Sequence, residues 1–154
     1  MRRRLAGTVR VPLPPAEAFT LFTPRGEELW VDGWRPAFPA DAPDDTEPGT
    51  VFETSHGTER TTWVVLARDP GRRVSYARVT PGHRAGTVTV DVAPHPDGGS
   101  AAEVVYDLTA LTAGGAHGLD AFAGGYAAFL QSWEDAIAAH LAQSARSTSS
   151  PPSA

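Results

Sequence analysis

The 154-residue chain has no cysteine, no lysine and no asparagine, and all 13 of its basic side chains are arginine. Each absence excludes a chemistry. Without cysteine there is no disulfide, thiolate nucleophile, iron–sulfur cluster or cysteine-ligated zinc. Without lysine there is no Walker A loop, no Schiff base and no Ser–Lys dyad, because each needs that amine. Long apolar runs are missing too, and no stretch approaches the roughly 20 residues of a membrane span. Arg2, Arg3 and Arg4 resemble the start of an export signal, but Thr8, Arg10, Pro12, Pro14 and Pro15 interrupt any apolar region behind them. Cytoplasmic placement is therefore the default, and the triplet reads as a frayed, solvated N-terminus or a weak anion-binding arm. Eighteen acids against 13 arginines leave a net charge of −5, which argues against nucleic acid as a partner. The histidines at 56, 83, 95, 117 and 140 show no metal-binding spacing, so neither a metal nor a cofactor is expected. No serine lies in a G-x-S-x-G elbow.

What remains is a globular composition, 41% apolar, at a length that suits one domain. Leu5–Val11 alternates apolar and polar positions as a half-buried strand does, and Pro12 ends it. Ala16–Phe22 reads as a short helix. Thr23 and Pro24 then read as cap and first residue of a second one, with Glu27 and Glu28 in its first turn, where the helix dipole favours acids. An acidic, proline-punctuated loop runs from Phe38 to Pro48. Beyond it come strands at Thr50–His56, Thr61–Arg68, Arg73–Thr80, Gly86–Ala93 and Ala101–Leu111, joined by short turns that each hold glycine. Such spacing predicts an antiparallel meander. Gly114–Gly118 reads as a flexible lead into the final element. There Leu119, Phe122, Tyr126, Phe129, Trp133, Ile137 and Leu141 recur at three- and four-residue steps, which predicts one long amphipathic helix over Leu119–Gln143. Only the sheet can cover its apolar face. Residues 144–154 read as a disordered tail behind a single domain of residues 1–143.

The element order, with Pro14-Pro15-Ala16-Glu17-Ala18-Phe19 after the first strand and an aromatic C-terminal helix, resembles the START-like (SRPBCC) superfamily. The stretch from Leu21 to Trp30 followed by Gly33-Trp34-Arg35-Pro36 is similar to its bacterial polyketide cyclase/dehydrase-like members. The resemblance covers about residues 4–143. It implies an α+β helix-grip fold: a curved antiparallel sheet of about six strands wrapped round the last helix, with two short helices after strand one. An apolar cavity would lie between sheet and helix. Members bind lipids, sterols, polyketides or hormones, some catalyse cyclisation or dehydration, and others activate a chaperone. A small hydrophobic molecule is thus the expected partner, with a cyclase- or dehydratase-like enzyme and a chaperone-activator module as alternatives. A homodimer is left open.

Several residues are candidates for the cavity. Trp30, Trp34 and Arg35 lie in one loop, where they would either rim a ligand site or plug the core. On the strands, Trp63, Tyr76 and Arg78 stand among polar and aromatic residues (Glu53, His56, Thr89, Glu103 and Tyr106) whose facing depends on register. An inward Arg78 beside Tyr76 would hold an oxyanion or enolate. On the last helix, Phe122, Tyr126 and Phe129 are expected to divide between core and cavity. Gly125, behind Gly124, costs about 1 kcal/mol in a helix. It would leave space for a ligand, bend the helix over one, or let a strand residue pack close.

Overall fold

Alternation of buried and exposed side chains assembles six strands into one antiparallel sheet: β1 (Arg2–Val11), β2 (Val51–His56), β3 (Glu59–Asp69), β4 (Arg73–Thr80), β5 (Arg84–Pro94) and β6 (Ser100–Ala110). Their order is β1-β6-β5-β4-β3-β2, a meander in which β6 returns to cover β1. The computed structural model describes residues 1–148; the last six residues of the expected tail lie outside that range. After β1 come helix α1 (Pro15–Phe19) and two 3-10 turns, Thr20–Phe22 and Gly26–Leu29. The chain closes with α2 (Ala113–Gly124) and α3 (Tyr126–Thr148). This is the helix-grip arrangement, with the sheet curved around the final helices.

Two features bend the sheet. The β3–β4 register shifts between Val65 and Ala67, a bulge that increases local twist. On β5, Gly86 lies so close to β6 that a Cβ there would collide with the carbonyl oxygen of Asp107. Only glycine permits that approach.

Four expectations change. The arginine triplet is not frayed: residues 2–4 pair with Asp107–Thr109 of β6. Arg2 Nε and Nη2 donate to the two Asp107 carboxylate oxygens at 2.8 Å, and Arg3 Nη2 donates to Asp120 at 2.6 Å. The single long helix is two, because Gly125 breaks it; Gly125 N–H bonds back to the carbonyls of Ala121 and Phe122. The glycine-rich lead is already helical: Thr112 Oγ1 caps α2 by accepting from Gly115 N–H at 3.0 Å. Gly115 itself packs against the His83 carbonyl, where no Cβ would fit. At the other end α3 continues through Thr148, five residues past Gln143.

The interior has two ends. At the α1 end, Val11, Ala18, Phe22, Val74, Val92, Ala102, Val104 and Ile137 are all fully buried. At the α2 end, large aromatic side chains stand apart and leave a hollow. Among the described residues, no helix is long and apolar enough to cross a membrane.

Candidate ligand cavity

The hollow end is a cavity of about 370 Å³ between the inner face of β2–β6, the 3-10 turn Gly26–Leu29 with its following loop, and α2–α3. Strand register decides what enters it. Across the sheet, Tyr76 of β4, Val88 of β5 and Tyr106 of β6 form one inward row. One pleat repeat along, about 6.6 Å nearer the β4–β5 turn, Arg78, Gly86 and Leu108 form the next.

Arg78 is the chemical centre of the site. Its guanidinium carbon stands 4.8 Å from the centroid of the Trp63 ring, a cation–π contact. Its Nη2 donates to Thr80 Oγ1 at 3.1 Å, and that oxygen shares a 2.6 Å hydrogen bond with Thr61 Oγ1. Its Nε is buried with no acceptor. Burial pushes the guanidinium pKa down, but a group with so high an ordinary value stays charged at neutral pH. Leaving such a donor unsatisfied costs about 1–3 kcal/mol, and the rest of the guanidinium lines the cavity, where an anionic oxygen would offset the buried charge.

The aromatic walls are held by their polar tips. Trp63 Nε1 donates to Thr54 Oγ1 at 2.9 Å, Trp34 Nε1 to the Pro24 carbonyl at 2.8 Å, and Tyr76 Oη to the Phe22 carbonyl at 3.2 Å. Trp34 meets Trp63 edge-on, and Trp63 stacks on Phe52. Opposite, the Tyr106 ring is edged by Phe122 and Phe129. Its hydroxyl has no hydrogen-bond partner among the described residues. Burial, first of all, pushes the Tyr106 pKa up, with the nearby Arg78 charge opposing, so the phenol remains a neutral donor. At the rim, Glu59 faces His83 at 3.6 Å and Arg84 at 4.0 Å.

Trp34, Trp63, Tyr76, Arg78, Phe122 and Phe129 thus meet around one cavity. Four other expected residues do not. Trp30 turns away into the core, donating to the Leu21 carbonyl at 2.8 Å and packing edge-on against Phe22 and Trp133. Arg35 follows Trp34 on the outer side of the loop and is exposed. Tyr126 is spent on the sheet, its hydroxyl donating to the Val104 carbonyl at 2.7 Å. Gly125 faces solvent: a Cβ there would touch nothing closer than the Ala121 carbonyl at 3.6 Å, so it neither makes room for a ligand nor admits a strand side chain. Of the remaining strand candidates, His56 and Tyr106 line the cavity, whereas Glu53, Thr89 and Glu103 lie outside it.

Glu27 was missed by sequence reasoning. The 3-10 turn that carries it is set by Thr23, whose Oγ1 accepts from Gly26 N–H at 3.0 Å, and by Gly26, whose Cβ would strike the Thr20 carbonyl. That turn aims Glu27, not Glu28, into the cavity. Burial pushes its pKa well above the usual carboxylate range.

A model of the family described as polyketide cyclase/dehydrase and lipid transport matches residues 2–141. Among solved structures, an uncharacterized protein from Rhizobium leguminosarum superposes with a TM-score of 0.65 at 15% identity, covering 89% of this chain and 95% of its own. The protein MLL2253 from Mesorhizobium loti gives 0.65 at 18% identity, covering 88% and 96%. At such identities the likeness concerns the fold alone. No curated protein matches the chain.

Proposed function

The chain belongs to the polyketide cyclase/dehydrase and lipid-transport family, and from that premise we propose that its cavity holds a small, largely planar apolar molecule bearing one anionic oxygen at Arg78. Binding of hydrophobic molecules is the general role of this scaffold. The finer reading is carried by one observation: the guanidinium of Arg78, one nitrogen of which has no acceptor among the described residues, lines a chamber rich in aromatic rings. Edge-on rings favour flat ligands, which they meet by stacking or T-shaped contact. A volume of about 370 Å³ suits a fused bicyclic or short acyl ligand, within the usual range for small-molecule sites.

The test compares 2-naphthoate with 2-naphthylmethanol, its neutral near-isostere, by tryptophan fluorescence and calorimetry. Tighter binding of the carboxylate, by tenfold or more and lost in Arg78→Gln, supports the assignment. Equal affinities in the wild type would refute it.

An enzyme on the same scaffold is a second reading, favoured by the convergence of Glu27, Tyr106 and Arg78 on one cavity. It requires that Arg78→Gln abolish turnover of a bound enolisable ketone.

A further inference from the structure

Glu27 is unlike every other acid of the chain that has a shifted pKa. Asp44 and Asp107 are held low by arginines, Arg68 and Arg2 respectively. The Glu27 carboxyl has no hydrogen bond and no ion pair among the described residues, although two guanidinium groups share its cavity. Nor is it an outward-facing helix-dipole acid, since the turn beneath it directs it inward.

Glu27 lines the same cavity as Tyr76, Arg78 and Tyr106, and no ion pair joins it to Arg78 among the described residues. Other charged groups face the cavity from each element around it. Arg84 of β5 is drawn to Glu59, while His56, Glu59 and Asp32 lie at the rim. The final helices contribute only Phe122, Phe129 and Trp133, none of them titratable. The chamber therefore carries a cation at Arg78, an acid at Glu27 and the Tyr106 hydroxyl, which has no partner among the described residues.

We infer that Glu27 is a specificity-determining residue of this cavity, where it meets a second, uncharged oxygen of the ligand. The preferred class is then that of keto and hydroxy acids, or of singly ionised dicarbonyl compounds, rather than simple carboxylates. This rests on the Arg78 reading and deepens it. Desolvation favours the neutral carboxyl, which donates a hydrogen bond to a carbonyl or hydroxyl. An anion at Arg78 places a second negative charge in the same chamber and favours that neutral form further. Ligand binding is therefore linked to proton uptake, and affinity falls as rising pH ionises Glu27, which then loses its proton and repels the anion.

The experiment measures binding of 2-naphthoate and 6-acetyl-2-naphthoate by calorimetry from pH 5.5 to 9, with the wild type, Glu27→Gln and Glu27→Leu. In the wild type at low pH the acetyl compound binds more tightly by about tenfold, the worth of one hydrogen bond, and this preference declines as pH rises. Glu27→Gln keeps a donor that does not titrate, so the preference persists without pH dependence. In Glu27→Leu it disappears, while 2-naphthoate still binds. Equal affinity for the two compounds in the wild type at every pH, or a preference that survives in Glu27→Leu, overturns the inference and leaves the Arg78 reading intact. Arg78→Gln weakens both compounds alike and so reports on that reading separately. Failure of wild-type protein to take up either naphthoate overturns both.

Discussion

The two ends of the interior share one sheet and one binary pattern, yet one is filled and the other hollow. At the α1 end the inward positions of β4, β5 and β6 are Val74, Val92, Ala102 and Val104, small or branched side chains that interdigitate with Ala18, Phe22 and Ile137. Two to four residues along the same strands the inward positions become Tyr76, Arg78, Val88 and Tyr106. Tyr76, anchored by its hydroxyl on the Phe22 carbonyl, cannot collapse into the space, and a cation resists burial against an apolar surface. The helix side differs as well. Beyond Trp133, α3 presents Ile137 to a closed cluster, whereas Phe122 and Phe129 leave part of their surface to the cavity. Inward facing thus makes a wall, and the chemistry of the side chains decides whether the wall closes.

That contrast can be broken at four points. Ile137→Ala at the filled end should cost about 2–5 kcal/mol in denaturant unfolding, the range for emptying a fully packed site. Its affinity for 2-naphthoate, measured where the protein stays folded, should not change. At the hollow end the signs differ. The raised pKa of Glu27 means that, between the ordinary carboxylate range and its folded value, the unfolded chain binds fewer protons than the native one. This contribution to stability therefore falls as pH rises through that window. Glu27→Gln should remove the slope and leave the protein more stable than the wild type above that window, read from urea midpoints against pH. Stability of the variant that still declines over that window would show that another group is responsible.

Arg78→Met is a smaller and more pointed case. Replacing a buried cation that lacks a full set of acceptors by an apolar side chain of similar length should leave stability unchanged or raise it by up to about 1 kcal/mol, while selective binding of 2-naphthoate is lost. A loss of several kcal/mol would mean that Arg78 is part of the scaffold. The smallest effect belongs to the helix break. Gly125 has φ −102° and an exposed position, so Gly125→Ala should shift stability by no more than about 1 kcal/mol, towards greater stability, and leave ligand affinity alone.

Much of the scaffold is legible in the sequence. Strand β4 coincides with the alternating stretch Arg73–Thr80, the other late strands differ by one or two residues at their ends, and the aromatic spacing of the final segment marks its buried face. What period-2 and period-3.6 patterns cannot reach is the behaviour of short irregular segments and polar partners. Arg2, Arg3 and Arg4 looked frayed because Asp107 and Asp120 come within reach only once β1 has paired with β6. Trp30 and Trp34 are four residues apart, yet one closes the core and the other lines the cavity, a choice made by the carbonyls of Leu21 and Pro24. Glu27 and Glu28 are neighbours in a four-residue turn, too short for any periodicity to show which faces in. Gly125 was visible as a cost to a continuous helix, but the sequence could not reveal that the helix simply ends there.

The most direct test of a filled end and a hollow end within one sheet is a methyl NMR titration with 2-naphthoate. Among the valine, leucine and isoleucine methyls, shift changes and ligand contacts should be confined to Val31, Val88, Val90 and Leu108, with Val9, Val11, Val92, Val104 and Ile137 unaffected. Changes spread over the α1 end, or no saturable change at any of these methyls, would contradict the account.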